Sequence, residues 1–432
     1  MRTVAACAFG VCLLGLVMPA GAQALYFPPA TGALWDTASP QRFGYRADRI
    51  DSLYDFLGAT NSKAFLLLRD GKIVLERYYG TFTRDSVWQW ASAGKTMTAL
   101  AVGLAQQEGR LSIGRPTSDY LGLGWSALTP AQEGQITVRH QLTMTSGLDD
   151  GGNDDCTRPA CLTYLRPPGT RWAYHNAPYS LLDSVLERAT GQPLSLYLAQ
   201  RLRARTGITG LFVRLGFNNV YFSTARSMAR FGLLMLNRGA WGNTPILTDT
   251  GYYRQLISPS QGLNPSYGYL WWLNGQPAYM VPQSQIVFPG SLTPAAPADM
   301  HAAVGKDGQM LCIVPSRRLV WVRMGQTPPG PGGLVSIPYM NQVWTYVNRL
   351  TGPTQATEPA AARPTAWHDP ATRTLHLPGL PASAAYALLD ATGRCRLQGQ
   401  AGPGPSAVST AGLVPGVYVL RLAGRGGVRM VL

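Results

Sequence analysis

Lysine is nearly missing from this chain. Of its 37 basic side chains only Lys63, Lys72, Lys95 and Lys306 are lysines, so a solvated cation here is almost always an arginine. Acids are also few: 22 Asp and Glu leave a net charge of +15. The arginines are scattered and no nucleic-acid-binding module accompanies them, so no nucleic-acid partner is expected. A basic surface instead suits anionic envelope polymers or acidic substrates. The five histidines offer no obvious Ser-His-Asp set, and no G-x-S-x-G elbow occurs, which argues against the histidine-dependent hydrolases. Without a C-x-x-C pair or a His/Cys cluster, zinc is not expected either. No stable membrane span is expected, because the longest apolar run, near the amino terminus, is too short and wrongly flanked.

That run has another use. "MRTVAACAFGVCLLGLVMPAGAQA" carries Arg2, an apolar stretch to about Met18 and small residues ending in Ala22-Gln23-Ala24. It reads as a secretory signal over 1–24 with an A-x-A cleavage site. Export would remove Cys7 and Cys12. Cys156 and Cys161, close together around a proline, then suit either a small disulfide in an oxidising compartment or two free thiols. Cys312, in "MLCIV", reads as a buried small hydrophobe.

At 432 residues and 46% apolar content, the chain can bury one large core and a small one. "KAFLLLRDGKIVLERYYG" is two apolar runs around Asp70-Gly71, a tight-turn signal. The middle, roughly 110–295, reads as mostly helical, as in "YSLLDSVLERATG" and "STARSMARFGLLMLNRGAWG". Strand patterns return in "AAVGKDGQMLCIVPSRRLVWVRMG", before a last helix in "IPYMNQVWTYVNRL". Strands at both ends with helices between predict one α/β (α+β) domain over 25–350, its sheet assembled from distant segments. "TGPTQATEPAAARPT" (351–365) is a Pro/Ala/Thr linker. Residues 366–432 then give short strands broken by Gly and Pro, a small separate β-sandwich.

Within "WASAGKTMTAL", Ser92 stands three residues before Lys95 where a helix begins. Ser92 as a helix cap and Lys95 as a solvated side chain is the plain reading. Against it, a solvated position in this chain would have taken arginine, and only a buried lysine can surrender its proton. One helical turn places the amine beside the hydroxyl, and a serine needs such a base to become a nucleophile. Two further motifs follow: Tyr174-x-Asn176 ahead of an amphipathic helix, and Lys306-Asp307-Gly308 ahead of a strand.

With S-x-x-K, Y-x-N and K-x-G in this order, residues 45–350 resemble the serine β-lactamase-like, penicillin-binding superfamily. The similarity is to the branch of class C β-lactamases, DD-peptidases and related esterases and amidases. "QQEGRLSIGRPTSDYL" and "ITVRHQLTMTSGLDD" look like that branch too. The resemblance implies a five-stranded antiparallel sheet flanked by helices, with an all-helical insert. It implies Ser92 as the acyl-enzyme nucleophile and Lys95 with Tyr174 as its general base. Asn176 would bond the substrate amide or Lys95, and Lys306 would add positive charge at the cleft. The Gly308–Gln309 segment would border the oxyanion hole, formed by the N–H groups of Ser92 and Gln309; one such donor is worth roughly 3–4 kcal/mol in the transition state. No E-x-x-L-N segment supplies a second carboxylate base, and no metal or cofactor is implied.

Asp307 departs from the pattern, because antibiotic-binding members usually carry Ser or Thr there to hold a substrate carboxylate. "GKDGQ" instead fits the G-x-x-G-Q form of branches acting on esters or linear amides, including hydrolases of 6-aminohexanoate oligomers. A small-molecule ester or amide is therefore the expected substrate. The alternatives are β-lactams, peptidoglycan stem peptides, or no catalysis at all in a penicillin-binding-like surface receptor. "YGYLWWL" (267–273) reads as an aromatic wall for an acyl chain or as a core strand. "DDGGNDD" (149–155) reads as a solvated loop or, less readily, a calcium site. The tail phrases "YALLDATGRCRLQ" and "LVPGVYVLRLAGRGGVRMVL" resemble the type A sorting domain of the type IX secretion system. That implies a partner in the secretion machinery and a secreted or cell-surface location, or a periplasmic one if the tail is no sorting signal.

Overall fold

In the computed structural model of the chain, Asp70 and Gly71 both take left-handed backbone, with φ 52° and 83°. That is the turn whose twist matches paired strands, and it joins β1 (Ser62–Arg69) to β2 (Lys72–Tyr78). Downstream come β3 (Val87–Gln89), β4 (Leu211–Leu215), β5 (Asn218–Thr224), β6 (Trp272–Leu273), β7 (His301–Gly305), β8 (Gln309–Val314) and β9 (Leu319–Gly325). The structure describes residues 24–152, 154–329, 335–351, 366–369, 372–380, 383–390, 394–422 and 428–432. The expected signal before Ala24, and the expected linker beyond Thr351, lie outside the described residues.

The main sheet runs β2-β1-β9-β8-β7-β6 with every neighbour antiparallel. It holds six strands rather than the expected five, because the two residues of β6 extend its edge beside β7. The longer helices are α1 (Ala47–Ala59), α2 (Lys95–Gln107), α3 (Asn176–Thr190), α4 (Leu194–Thr206), α5 (Ala225–Leu236) and α6 (Ile337–Arg349). Strands β8 and β9 are buried along their whole length, which explains why "QMLCIV" and "LVWV" do not alternate with polar residues. Leu311 and Val320 face α5, so closely that a Cβ on Gly232 would stand 2.6 Å from each. Cys312 and Trp321, on the opposite face, meet Met340 and Trp344 of α6. Each such large apolar side chain contributes roughly 1.5–3 kcal/mol on burial.

The insert is not all helical. β4 and β5 form a hairpin turned at Gly216 (φ 63°), and β3 adds to its edge. The run "LFVRLGFNNVYFST" has the length and β-branched content of strands, a signal hidden among strong helical neighbours. This small sheet matters for the site, because β5 holds the turn that carries Ser92.

The second compact unit spans Pro353–Leu432, the first Met1–Gly352. Its described elements are strands, in a three-stranded and a four-stranded antiparallel sheet. Leu375 and Leu377 from the first sheet share one buried cluster with Leu388, Leu420 and Leu422 from the second.

Candidate active site

Ala91 precedes Ser92 with φ 45°, a left-handed conformation that costs a β-carbon-bearing residue roughly 1–3 kcal/mol. Neighbouring contacts hold it there. The Trp90 N–H donates to the Tyr221 carbonyl at 2.8 Å, and the Trp90 indole N–H donates to Ser223 Oγ at 2.8 Å. A short 3₁₀ turn, Ala91–Gly94, then runs into α2, so Ser92 sits at the helix mouth and Lys95 is its first residue.

Lys95 is only 4% exposed, and its Nζ donates to Ser92 Oγ at 3.0 Å. The same amine lies 5.2 Å from the Tyr174 ring centre and 4.2 Å from that of Tyr179. Burial pushes the ammonium down to about 8, although Asp154, Asp155 and Asp183 pull the other way. The Tyr174 phenol lies near the Ser92 hydroxyl, and burial pushes its pKa well up. A buried phenol keeps its proton; a buried amine gives its proton up. Hydroxyl, amine and phenol thus share one pocket.

Tyr174 is held by a block of aromatic rings. Its ring stacks on Trp272 at 5.8 Å and meets Tyr267 at 6.2 Å. Tyr267, Tyr269, Trp271 and Trp272 are all at most 2% exposed. Of the two readings of "YGYLWWL", the core reading is therefore the one realised: Tyr267 and Trp272 buttress the tyrosine, while Tyr269 packs on Tyr252 and Trp271 on Phe231, and the four do not form an open wall.

Asn176, at the start of α3, has part of its hydrogen-bonding capacity already committed. Its side-chain N–H₂ donates to Asp154 Oδ2 and Asp155 Oδ1, both at 2.9 Å, and its backbone N–H donates to Asp154 Oδ1 at 3.1 Å. Two carboxylates have taken its donors, so what it can still offer to a substrate N–H or to the Lys95 ammonium is its side-chain oxygen. Its carbonyl oxygen is buried with no partner among the described residues. The same bonds explain the acidic loop. Asp154 and Asp155 fasten α3, while Asp150 pairs with Arg171 at 2.7 Å. Directly after this loop, Cys156 and Cys161 form a disulfide.

The third motif needs a correction. Gln309 donates its backbone N–H to the Lys306 carbonyl, and its side chain makes two hydrogen bonds with the Gly325 backbone. Fully buried in the sheet, Gln309 presents no amide to the cleft. The residue that meets the nucleophile turn is Gly305. A Cβ there would lie 2.5 Å from the Trp90 carbonyl oxygen and 3.0 Å from the Ser92 nitrogen, so only glycine permits the approach. Lys306 follows it, exposed. Asp307 takes φ 62°, and its carboxylate accepts from the Thr327 hydroxyl at 2.6 Å.

Arg323 was not anticipated from sequence. Fully buried on β9, it donates to the carbonyls of Asp307 (2.6 Å), Gly308 (3.0 Å), Thr60 (2.7 Å) and Gln326 (3.0 Å), and to Ser62 Oγ (3.0 Å). Gly308 leaves room for it, since a Cβ there would stand 2.6 Å from the guanidinium. Gly308 thus serves the shape of the turn. The buried Asp183, one helical turn beyond Tyr179 on α3, is the other unforeseen neighbour. Burial pushes its carboxyl up to about 7, opposed by Asn219, Arg214 and Lys95. An arginine in "WVRMG" and an aspartate in "LLDSV", each a charge inside an apolar run, were the available signals.

Comparison with known proteins fits this geometry. The 6-aminohexanoate-dimer hydrolase of Paenarthrobacter ureafaciens is 26% identical over 307 residues, covering 57% of this chain and 74% of that protein. Esterase EstB of Burkholderia gladioli is 28% identical over 188 residues, 34% of this chain and 47% of the esterase. Among solved structures, a family VIII carboxylesterase shares the fold with TM-score 0.54 at 16% identity, covering 73% of this chain and 99% of that one. The beta-lactamase family model matches residues 50–342, which spans the Ser92, Tyr174 and Lys306 segments together. The chain therefore belongs to the beta-lactamase family, a superfamily of serine hydrolases that includes esterases and amide hydrolases.

Proposed function

We propose that this protein is an exported serine hydrolase that cleaves an ester or linear amide through an acyl-enzyme on Ser92. The observation that carries this reading is the 3.0 Å contact between the buried Lys95 amine and Ser92 Oγ. In its neutral form Lys95 takes the Ser92 proton as Oγ attacks the substrate carbonyl carbon. We assign the proximate base to Lys95 because burial lowers its pKa and raises that of Tyr174. Tyr174, still protonated, then donates toward the departing alcohol or amine and is reprotonated from the Lys95 ammonium. Water repeats the sequence in reverse to free the acid. For the oxyanion we propose the N–H groups of Ser92 and Lys306, since Gly305 sets these two segments against each other and Gln309's amide is already bonded.

Asp307 supports an ester or amide over a β-lactam, because a carboxylate there repels the carboxylate of such antibiotics. Export rests on the amino-terminal signal pattern, and sorting to the cell surface rests on the tail's likeness to type IX sorting domains. Mass spectrometry after a fluorophosphonate probe should find one adduct on Ser92; its absence would leave a non-catalytic receptor. Turnover of p-nitrophenyl esters or aminohexanoate oligomers should exceed that of nitrocefin and D-Ala-D-Ala peptides. The reverse order would favour a β-lactamase or DD-peptidase.

A further inference from the structure

A second cavity, of about 760 Å³, opens between residues 30–35, α4 and the amino end of α5. None of its lining residues belongs to the Ser92 pocket. Four arginines face it: Arg84, Arg203, Arg226 and Arg230, against one acid, Asp85. Two of the four are neutralised. Arg226 holds Glu76 through two nitrogens, each at 2.7 Å, and Arg84 pairs with Asp85 at 3.3 Å.

The other two have no carboxylate partner among the described residues. Arg203 is exposed at the rim. Arg230 is only 7% exposed and donates to two neutral backbone carbonyls, of Thr206 at 2.8 Å and Pro29 at 2.9 Å. Its guanidinium lies near the Trp35 and Trp241 rings, 5.1 and 5.6 Å from their centres. Burial, with Arg226 nearby, pushes its pKa down to about 10. A buried charge without a counterion is costly, and here the space beside it is open. Ring faces and carbonyls recover part of that cost, but they carry no net charge.

We infer that this cavity is a binding site for a doubly charged phosphate monoester. Two unneutralised guanidinium groups call for two negative charges. A phosphate monoester carries them on one head, with a second pKa near 6, whereas a carboxylate carries one. Guanidinium forks match phosphate oxygens in pairs, and the positive end of α5 adds to the field. The volume lies within the usual range for small-molecule sites, which leaves room for the organic part of the ester.

Calorimetric titration of the full chain in chloride buffer tests this, with glucose 6-phosphate as the probe and glucose and succinate as comparisons. Glucose 6-phosphate should bind at least about tenfold more tightly than either, since succinate spreads its charges over two carboxylates. Arg203→Ala should weaken binding by at least about tenfold while leaving ester turnover intact, which verifies that the exposed substitution has not disturbed folding. Equal affinity in the variant, succinate binding as tightly, or no saturable binding of the phosphate would each overturn the proposal.

Discussion

An amine that loses its proton near pH 8 is a usable base under ordinary conditions; a solvated lysine is not. If Lys95 is the base, only its neutral form is active. The value of kcat/KM should then rise with pH through an apparent pKa of about 8 and level off above it. A flat pH–rate profile from neutral to alkaline pH would contradict the assignment. Lys95→Arg keeps the charge and loses the base, so turnover should fall by roughly 10²–10⁴-fold with the circular dichroism unchanged. The role proposed for Asp307 concerns a separate choice. Two like charges about 6 Å apart near a surface repel by roughly 1–3 kcal/mol. Asp307→Thr should therefore speed acylation by benzylpenicillin about tenfold, measured by stopped flow, and an unchanged rate would remove the argument about specificity.

At the scale of elements, the site is a meeting of three independent pieces. The 3₁₀ turn and α2 carry Ser92 and Lys95, the start of α3 carries Asn176 behind Tyr174, and the β7–β8 connection carries Lys306. Arg323 pins the third piece through the carbonyls of residues 307 and 308. Replacing it with methionine strands four carbonyl acceptors inside the protein, each at a cost of roughly 1–3 kcal/mol if water cannot reach it. Arg323→Met should lower the urea midpoint and reduce kcat/KM together. An effect on stability alone would mean that the connection holds its shape without the guanidinium. The charge inside "WVRMG" was visible in sequence, but its partners were not, because most of them lie on segments far away in the chain. The β4–β5 hairpin was missed for a different reason: its polar turn residues resemble the loops between the surrounding helices, and short apolar runs do not declare their period.

For the molecule as a whole, Ser92, Lys95, Tyr174, Asn176 and Lys306 fall within the unit ending at Gly352, and so does the arginine-lined cavity. The first unit has its own buried cluster, separate from that of the tail. A domain with its own core folds alone. A chain ending at Gly352 should keep the kcat/KM of the full protein within about twofold and melt cooperatively; a large loss would tie the tail to catalysis. By itself the sequence determined what is local. The S-x-x-K spacing, the Asp70-Gly71 turn and the amphipathic helices are written in neighbouring residues, so short-range sterics and periodicity decide them. Only the tertiary structure decided which polar atoms face the cleft. Asn176 spends its donors on Asp154 and Asp155, Gln309 turns into the sheet, and Tyr267 and Trp272 buttress Tyr174. Each of these follows from distant segments packing together, where burial and hydrogen-bond satisfaction choose the orientation of a side chain that its neighbours in sequence leave open.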